Sequence, residues 1–377
     1  MISAYKGEEP LSAYLKFFFA SNKKYGSKDR KTIAHLCYCY FRLGKLAIKM
    51  ELVDAVIAGL FLCSDSFNEI LAFLKPEWNE LIHLSVTEKL KKINIGYSIT
   101  AVFPWNEQLS NGIDHDALCQ SFTIQPDLFL RIRPGYERKI KESLSAAAIP
   151  YSVIGNACIS LSNNSKVDTI IELDKNAVVQ DLSSQRIGEL MQVAINHLPS
   201  SISVWDCCAA SGGKSILCYD LNPGIHLSVS DIRESMLANL RKRFAKAGIE
   251  KYKNFITDLS KSNKNTAAQY YDFIIADVPC SGSGTWSRTP EQLYFFNETR
   301  IEKYGSLQRK ILTTVADGLK PGGFLLYITC SVFKEENEGA VEFILAQKKL
   351  ELKSIKLFAG YNQKADTLFG ALLYKPL

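Results

Sequence analysis

In the segment PLSAYLKFFFASNKK, Leu11, Tyr14, Leu15, Phe18 and Phe19 fall at i, i+3, i+4, i+7 and i+8, and Ile33, Leu36, Cys37, Tyr40 and Phe41 repeat that spacing in the next segment. One apolar stripe at a period of 3.6 predicts two amphipathic helices. Phe67, Ile70, Leu71 and Leu74 continue the theme after Ser64 and Asp65, which read as a helix cap. Residues 1–105 are therefore expected to form a small helical bundle, with Cys37, Cys39 and His35 as ordinary helix residues, mostly core. The polar passage WNEQLSNGIDHDALCQ reads as a linker, and over 119–199 short β-rich runs (LFLRIR, IPYSVI, TIIEL) mix with helical pieces, which suggests a compact α+β subdomain. Arg131, Arg133, Arg138, Lys139 and Lys141 make that subdomain locally basic.

From residue 200 to 377 the rhythm changes. Apolar runs ISVWDCCAA, HLSVSD, NFITD, DFIIADVP and FLLYITC alternate with helical segments such as ESMLANLRKRFAKAG, where Gly248 sits as a C-cap. Strand and helix in alternation predict a doubly wound, Rossmann-like parallel sheet, so the fold class is α/β. In such sheets ligands bind beyond the carboxyl ends of the strands. Asp206, Asp231, Asp258, Asp277 and Cys330 all fall at those ends, and packing does not account for so many polar or reactive residues there.

Composition narrows the class. The chain has 377 residues, 47% of them apolar and 22% charged, with ten cysteines scattered along it and no C-x-x-C pair. Two or three globular domains with reduced thiols are expected, without zinc. No apolar run reaches the length of a membrane span and the start MISAYKGEEP lacks a signal layout, so the expectation is a soluble, cytoplasmic protein, taken to be a monomer. The net charge of +6 is unevenly spread: residues 1–50 hold ten Lys/Arg against three Asp/Glu, and the other 327 hold 35 against 36. A basic N-terminus fits either a solvated helical surface or a face for phosphate backbones.

The loop DCCAASGGKS after the first strand of the alternating part is glycine-rich and opens a helix. A phosphate-binding P-loop fails, because Cys208 occupies the first glycine position; the dinucleotide fingerprint fails too, since Gly212 and Gly213 are the glycines present. What remains is a turn of small residues that lets a ligand approach the backbone, followed 19 residues after Gly212 by Asp231, a carboxylate spaced to take ribose hydroxyls. A ribose without a pyrophosphate cradle favours S-adenosylmethionine.

DCCAASGGKS, DVPCSGSGTWSRTPE and YITCSVFKEENEGAVEFIL, in this order, resemble the successive motifs of the Nop/Sun (Fmu-type, RsmB-like) family of RNA cytosine-5 methyltransferases. VVQDLSSQ and DTLFGALLYK extend the likeness to Val178–Lys375, and the helical N-terminus is more loosely similar to the RNA-binding extension of some members. Ser211 stands where the family usually has proline, and Met236 where an arginine often follows the ribose-binding acid.

The resemblance implies an enzyme that methylates carbon 5 of cytosine in RNA, ribosomal RNA before transfer RNA, with S-adenosylmethionine as cofactor and no metal. Carbon 5 is a poor nucleophile until a thiolate adds to carbon 6. The family pattern assigns that attack to Cys330, product release to Cys280, a hydrogen bond at the N3 edge of the base to Asp277 and a fixed positive charge to Lys214. Cys208, Ala209, Ala210, Ser211, Gly212, Gly213, Lys214, Asp231, Asp258 and Asp277 are the implied cofactor-binding residues. Two other classes stay open: an RNA-binding assembly factor without catalysis, and a DNA cytosine methyltransferase, in which Cys280 would attack. Cys37, Cys63, Cys158 and Cys218 read as small core residues, Asp258 also as a simple turn cap, and EENEGAVEF by itself as a plain helix start whose acidic residues suit the dipole.

Overall fold

The structure is a computed structural model that describes residues 1–93, 96–261 and 270–377. Two compact units divide the chain: Met1–Pro126 with Ser283–Glu298, and Asp127–Gly282 with Thr299–Leu377.

The first unit is helical. Leu11, Leu15 and Phe19 of the helix Leu11–Ser21 are buried, as are Cys37, Cys39, Tyr40 and Phe41 of the helix Ser27–Arg42, so the apolar stripes face a core as their spacing requires. The helix Glu69–Leu74 is capped by Asn68, whose Oδ1 accepts from the N–H groups of Ile70 and Leu71 at 3.0 and 3.2 Å; Ser64 and Asp65 do not cap it, and Phe67 lies outside it, 70% exposed. The passage 105–120 is not a linker. Asp114 caps the helix His115–Ser121, Trp105 is buried, and Phe103 stacks on Phe122 at 6.0 Å. Ser283–Glu298, from the middle of the second cysteine motif, joins this unit: Glu291 accepts the Leu11 N–H at 3.1 Å, and Lys45 Nζ donates to the carbonyls of Tyr294 and Phe296 at 2.7 Å each.

The second unit holds two sheets. In the smaller, strands β1 (Leu128–Ile132), β2 (Tyr151–Ile154), β3 (Cys158–Leu161) and β4 (Ala177–Val179) run antiparallel in the order β2-β3-β1-β4. Leu130, Ile132 and Ile159 face Ile140 and Leu144 of the helix Glu137–Ala146, while Phe129 and Cys158 on the other face meet Leu182 and Ala365. Arg131 and Arg133 are buried and clamp Asp220 at 2.6 and 2.7 Å, so two of the basic residues of this region are internal ties rather than ligand contacts. Arg138 pairs with Glu142 and Lys139 with Glu172.

The larger sheet has the order β10-β11-β9-β8-β5-β6-β7, where β5 is Ser203–Asp206, β6 His226–Asp231, β7 Tyr252–Ile256, β8 Tyr271–Asp277, β9 Leu319–Thr329, β10 Glu351–Ala359 and β11 Thr367–Tyr374. Strands β5 to β9 pair in parallel; β11 and β10 add antiparallel strands beyond β9. Both faces are covered, which explains the near-continuous apolar runs. Leu237, Leu240 and Phe244 pack on one face, Ile311, Leu312 and Val315 on the other. Gly248 ends the helix Glu234–Ala247 at φ +73°, in its expected C-cap role. Among the described residues no helix is long and apolar enough to cross a membrane.

Candidate active site

Asp206, Asp231 and Asp277 are the last residues of β5, β6 and β8; Asp258 lies two residues beyond β7, and Cys330 follows β9 directly. Because these are five adjacent parallel strands, their carboxyl ends meet along one edge of the sheet. A cavity of about 660 Å³ opens there, lined among others by Cys208, Ala210, Asp231, Asp277, Cys280 and Cys330, a volume suited to a nucleoside-sized ligand.

The turn after β5 is shaped by backbone constraints. Ala210 has φ +46° and Gly212 φ +84°, both in the left-handed region. A Cβ on Gly212 would stand 2.7 Å from Phe244 Cε1, so only glycine lets the turn lie against the helix Glu234–Ala247. Ser211, in place of proline, accepts from Arg243 Nη1 through its carbonyl and its hydroxyl at 3.0 Å each. Ala209 donates its N–H to Ser230 O at 2.9 Å. Cys208 and Ala210 thus face the cavity, whereas Ala209, Ser211, Gly212 and Gly213 build the turn without lining it.

Asp231 is 6% exposed; its Oδ2 accepts the Ala210 N–H at 3.0 Å, and its Oδ1 accepts from the Arg233 N–H and Nε at 2.9 and 3.2 Å. Arg233 thus places a cation beside Asp231. Asp258 closes its own turn, taking the N–H and hydroxyl of Ser260 on Oδ1 and lying 3.1 Å from Lys261 Nζ through Oδ2, while still lining the cavity. Asp206 is buried beneath the turn, where Ser215 Oγ donates to it at 2.5 Å; burial pushes its carboxyl up to about 7.

Lys214 Nζ lies 2.6 Å from Asp277 Oδ2. Burial works against the ammonium, but the Asp277 carboxylate outweighs it and holds Lys214 above the ordinary lysine range. The Cys280 and Cys330 sulfurs are 3.2 Å apart. Hydrogen bonding with Cys330, together with burial, raises the Cys280 thiol well above the usual cysteine range. Asp277, Cys280 and Cys330 therefore line one cavity, and Lys214 joins them through its ion pair with Asp277. Among the described residues no group of three or more His, Cys, Asp or Glu is placed to hold a metal.

Several residues of this site were not anticipated. Arg233 pairs with Asp231, Leu307 and Ile311 of the helix Thr299–Asp317 form an apolar wall, and Glu336 is wholly buried behind the two cysteines. In the sequence Glu336 carries the same signal as any acidic residue at a helix start.

The donor set fits S-adenosylmethionine: a carboxylate for a ribose, small residues against the ligand and no cradle for a pyrophosphate. The fold is shared with solved structures. One is the crystal structure of PH0851 (TM-score 0.70, 18% identity, 96% of this chain and 93% of that one); another is a methyltransferase homologue from Pyrococcus horikoshii (TM-score 0.60, 21% identity, 77% and 98%). A third, NSun6 from Pyrococcus horikoshii solved with SFG, has a TM-score of 0.59 at 14% identity over 67% and 91%. Among curated sequences the chain is 32% identical to the ribosomal RNA small subunit methyltransferase B of Shewanella oneidensis, over 46% of this chain and 40% of that protein. It is 29% identical to the probable ribosomal RNA small subunit methyltransferase B of Coxiella burnetii, over 49% and 43%, so the match spans less than half the length of these relatives. The family model described as 16S rRNA methyltransferase RsmB/F matches residues 193–372, the stretch that carries β5 to β9 and both cysteines.

Proposed function

We propose that this protein methylates carbon 5 of a cytosine in RNA, with small-subunit ribosomal RNA as substrate, through a covalent adduct on Cys330. The observation that carries the reading is the pair of sulfurs 3.2 Å apart, beside the Lys214–Asp277 ion pair and on the rim of the Asp231 cavity. The RNA class follows the names of the family and of the relatives.

Bound in the cavity, S-adenosylmethionine supplies the methyl group. Asp231 holds the ribose hydroxyls, with Arg233 and the Ala210 N–H fixing the carboxylate. The proton given up by the Cys330 thiol goes to N3 of the base, where the Asp277 carboxylate accepts the N3–H hydrogen bond, and Lys214 keeps positive charge next to it. Cys330 adds to carbon 6, forming a C–S bond and making carbon 5 nucleophilic toward the methyl group. A solvent-derived base then takes the carbon 5 proton, which returns the electron pair to the ring and breaks the C–S bond. The neutral Cys280 thiol, hydrogen-bonded to the Cys330 sulfur, stabilises that sulfur as it leaves. The helical first unit contributes RNA affinity through its basic surface, and the protein works as a cytoplasmic monomer.

The test is methyl transfer from labelled S-adenosylmethionine to RNA extracted from cells, with the labelled nucleotide mapped. Label on carbon 5 of a ribosomal cytosine is expected. Label confined to transfer RNA would change the substrate, and cofactor binding without transfer to any RNA would favour the assembly-factor reading.

A further inference from the structure

Both cysteines are followed by serine, and both serines reach the same buried carboxylate. The Ser281 N–H donates to Glu336 Oε2 at 2.8 Å, and Ser331 Oγ donates to Glu336 Oε1 at 2.8 Å. The two hydroxyls are themselves 3.2 Å apart. Gln308 Nε2 adds a third tie, donating to Glu336 Oε2 and to Pro279 O at 3.0 Å each. Glu336, Gln308, Ser331 and Asn337 are fully buried. The turn that presents the carboxylate is held by Tyr327 Oη on Glu336 O at 2.6 Å and by Asn337 Nδ2 on Ser331 O at 2.9 Å.

Cys280 lies three residues beyond the end of β8 and Cys330 directly after β9, so strand register alone does not fix the 3.2 Å between their sulfurs. Something must draw the two loops together. We infer that Glu336 is a positioning residue of the two-cysteine centre: by binding the serine after each cysteine, its carboxylate sets the spacing of the Cys280 and Cys330 sulfurs. A carboxylate suits the task because it accepts from several donors at once and has no proton of its own to place. Burial sets its carboxyl above the usual range while the bonds from the two serines and Gln308 pull the other way. Its charge also adds, after Cys330 and burial, to keeping the Cys280 thiol neutral. The catalytic consequence rests on the function proposed above; the spacing does not.

Dibromobimane, which fluoresces once both arms have alkylated neighbouring thiols, reads the spacing without RNA. Cys280→Ser supplies the background from the other cysteines. Wild type is expected to bridge. Glu336→Ala that still binds S-adenosylhomocysteine should lose the Cys280-dependent signal, and its kcat should fall roughly 100-fold, as for an approach misplaced by about 1 Å. Glu336→Gln, which retains an acceptor for the Ser281 N–H, should recover most of both. If Glu336→Ala does not fold, Ser331→Ala removes one arm of the clamp and must show the same loss. Full bridging and full kcat in a folded Glu336→Ala or Ser331→Ala overturns the inference, as does a wild type that fails to bridge. A glutamine variant as weak as the alanine one assigns the effect to charge and overturns it too. Bridging that depends on Glu336 in a protein that methylates no RNA supports the clamp and removes the proposed activity.

Discussion

Lys214 Nζ and Asp277 Oδ2 are 2.6 Å apart, joining the first turn of the helix Gly213–Leu221 to the last residue of β8. The pair is mostly shielded from solvent, so removing one partner leaves the other charge stranded. Asp277→Ala is expected to cost about 3 kcal/mol, the lower end for a buried pair because the aspartate is partly exposed. Lys214 is held above the ordinary lysine value of 10.5, so this stabilisation is fully present below that pH and is lost only as pH climbs through the folded value. The urea midpoints of wild type and Asp277→Ala should therefore differ by a constant amount across the neutral range and converge in alkali.

Asp206 gives the same sign in a lower pH window. Its folded carboxyl sits at about 7 against an ordinary 3.8, because burial disfavours the charge. Between those values the unfolded chain has released a proton that the folded chain keeps, so this group's contribution to stability falls as pH rises, and levels off above about 7. Asp206→Asn retains an acceptor for Ser215 and should flatten that slope, raising the melting temperature at pH 8 more than at acid pH. An unchanged slope would show that Asp206 ionises normally.

Asp231 should carry much of the cofactor affinity. Asp231→Asn is expected to lose about 1.5 to 3 kcal/mol of binding, the value of a hydrogen bond to a charged group, read by calorimetry with S-adenosylmethionine. Asparagine is the better test than alanine, since it can still accept the Ala210 N–H that holds the turn. Unaltered affinity would remove the ribose-binding role.

The two cysteines should separate by their covalent products. Cys330→Ala can neither add to carbon 6 nor activate carbon 5, so methylation and any protein–RNA adduct should vanish. Cys280→Ala should still attack and methylate but stall before elimination, giving a protein–RNA band on a denaturing gel, and the double variant should give none. A trapped band in Cys330→Ala instead would make Cys280 the nucleophile.

Lys23, Lys24, Lys28 and Lys31 are exposed, and replacing them with glutamine should weaken RNA binding and flatten its salt dependence by about 0.7 to 0.9 in log–log slope for each phosphate that the protein ceases to neutralise. Arg30 is set apart from them. Its Nε donates to Tyr25 O at 2.8 Å and its guanidinium lies over Phe19, so Arg30→Gln should lower stability as well. An identical salt slope in the lysine variant would mean a merely solvated surface.

What the sequence determined by itself was local or carried in contiguous motifs. The 3.6 period of Leu11, Leu15 and Phe19, the strand–helix alternation after residue 200 and the polar residues at five strand ends were legible because side-chain direction follows from backbone period, and a parallel sheet puts all its carboxyl ends on one edge. The three motifs placed Asp277, Cys280 and Cys330 for the same reason. Only the tertiary structure decided which partners meet across long separations. Ser283–Glu298 packs with helices more than 240 residues earlier; Arg233, not position 236, pairs with Asp231; and Glu336 gathers Ser281 and Ser331 from loops 50 residues apart. A glutamate in EENEG looks the same along the chain whether it faces water at a helix start or lies buried between two loops, since the helix dipole favours it in either case. Burial separates the two, and burial is a property of the packed molecule.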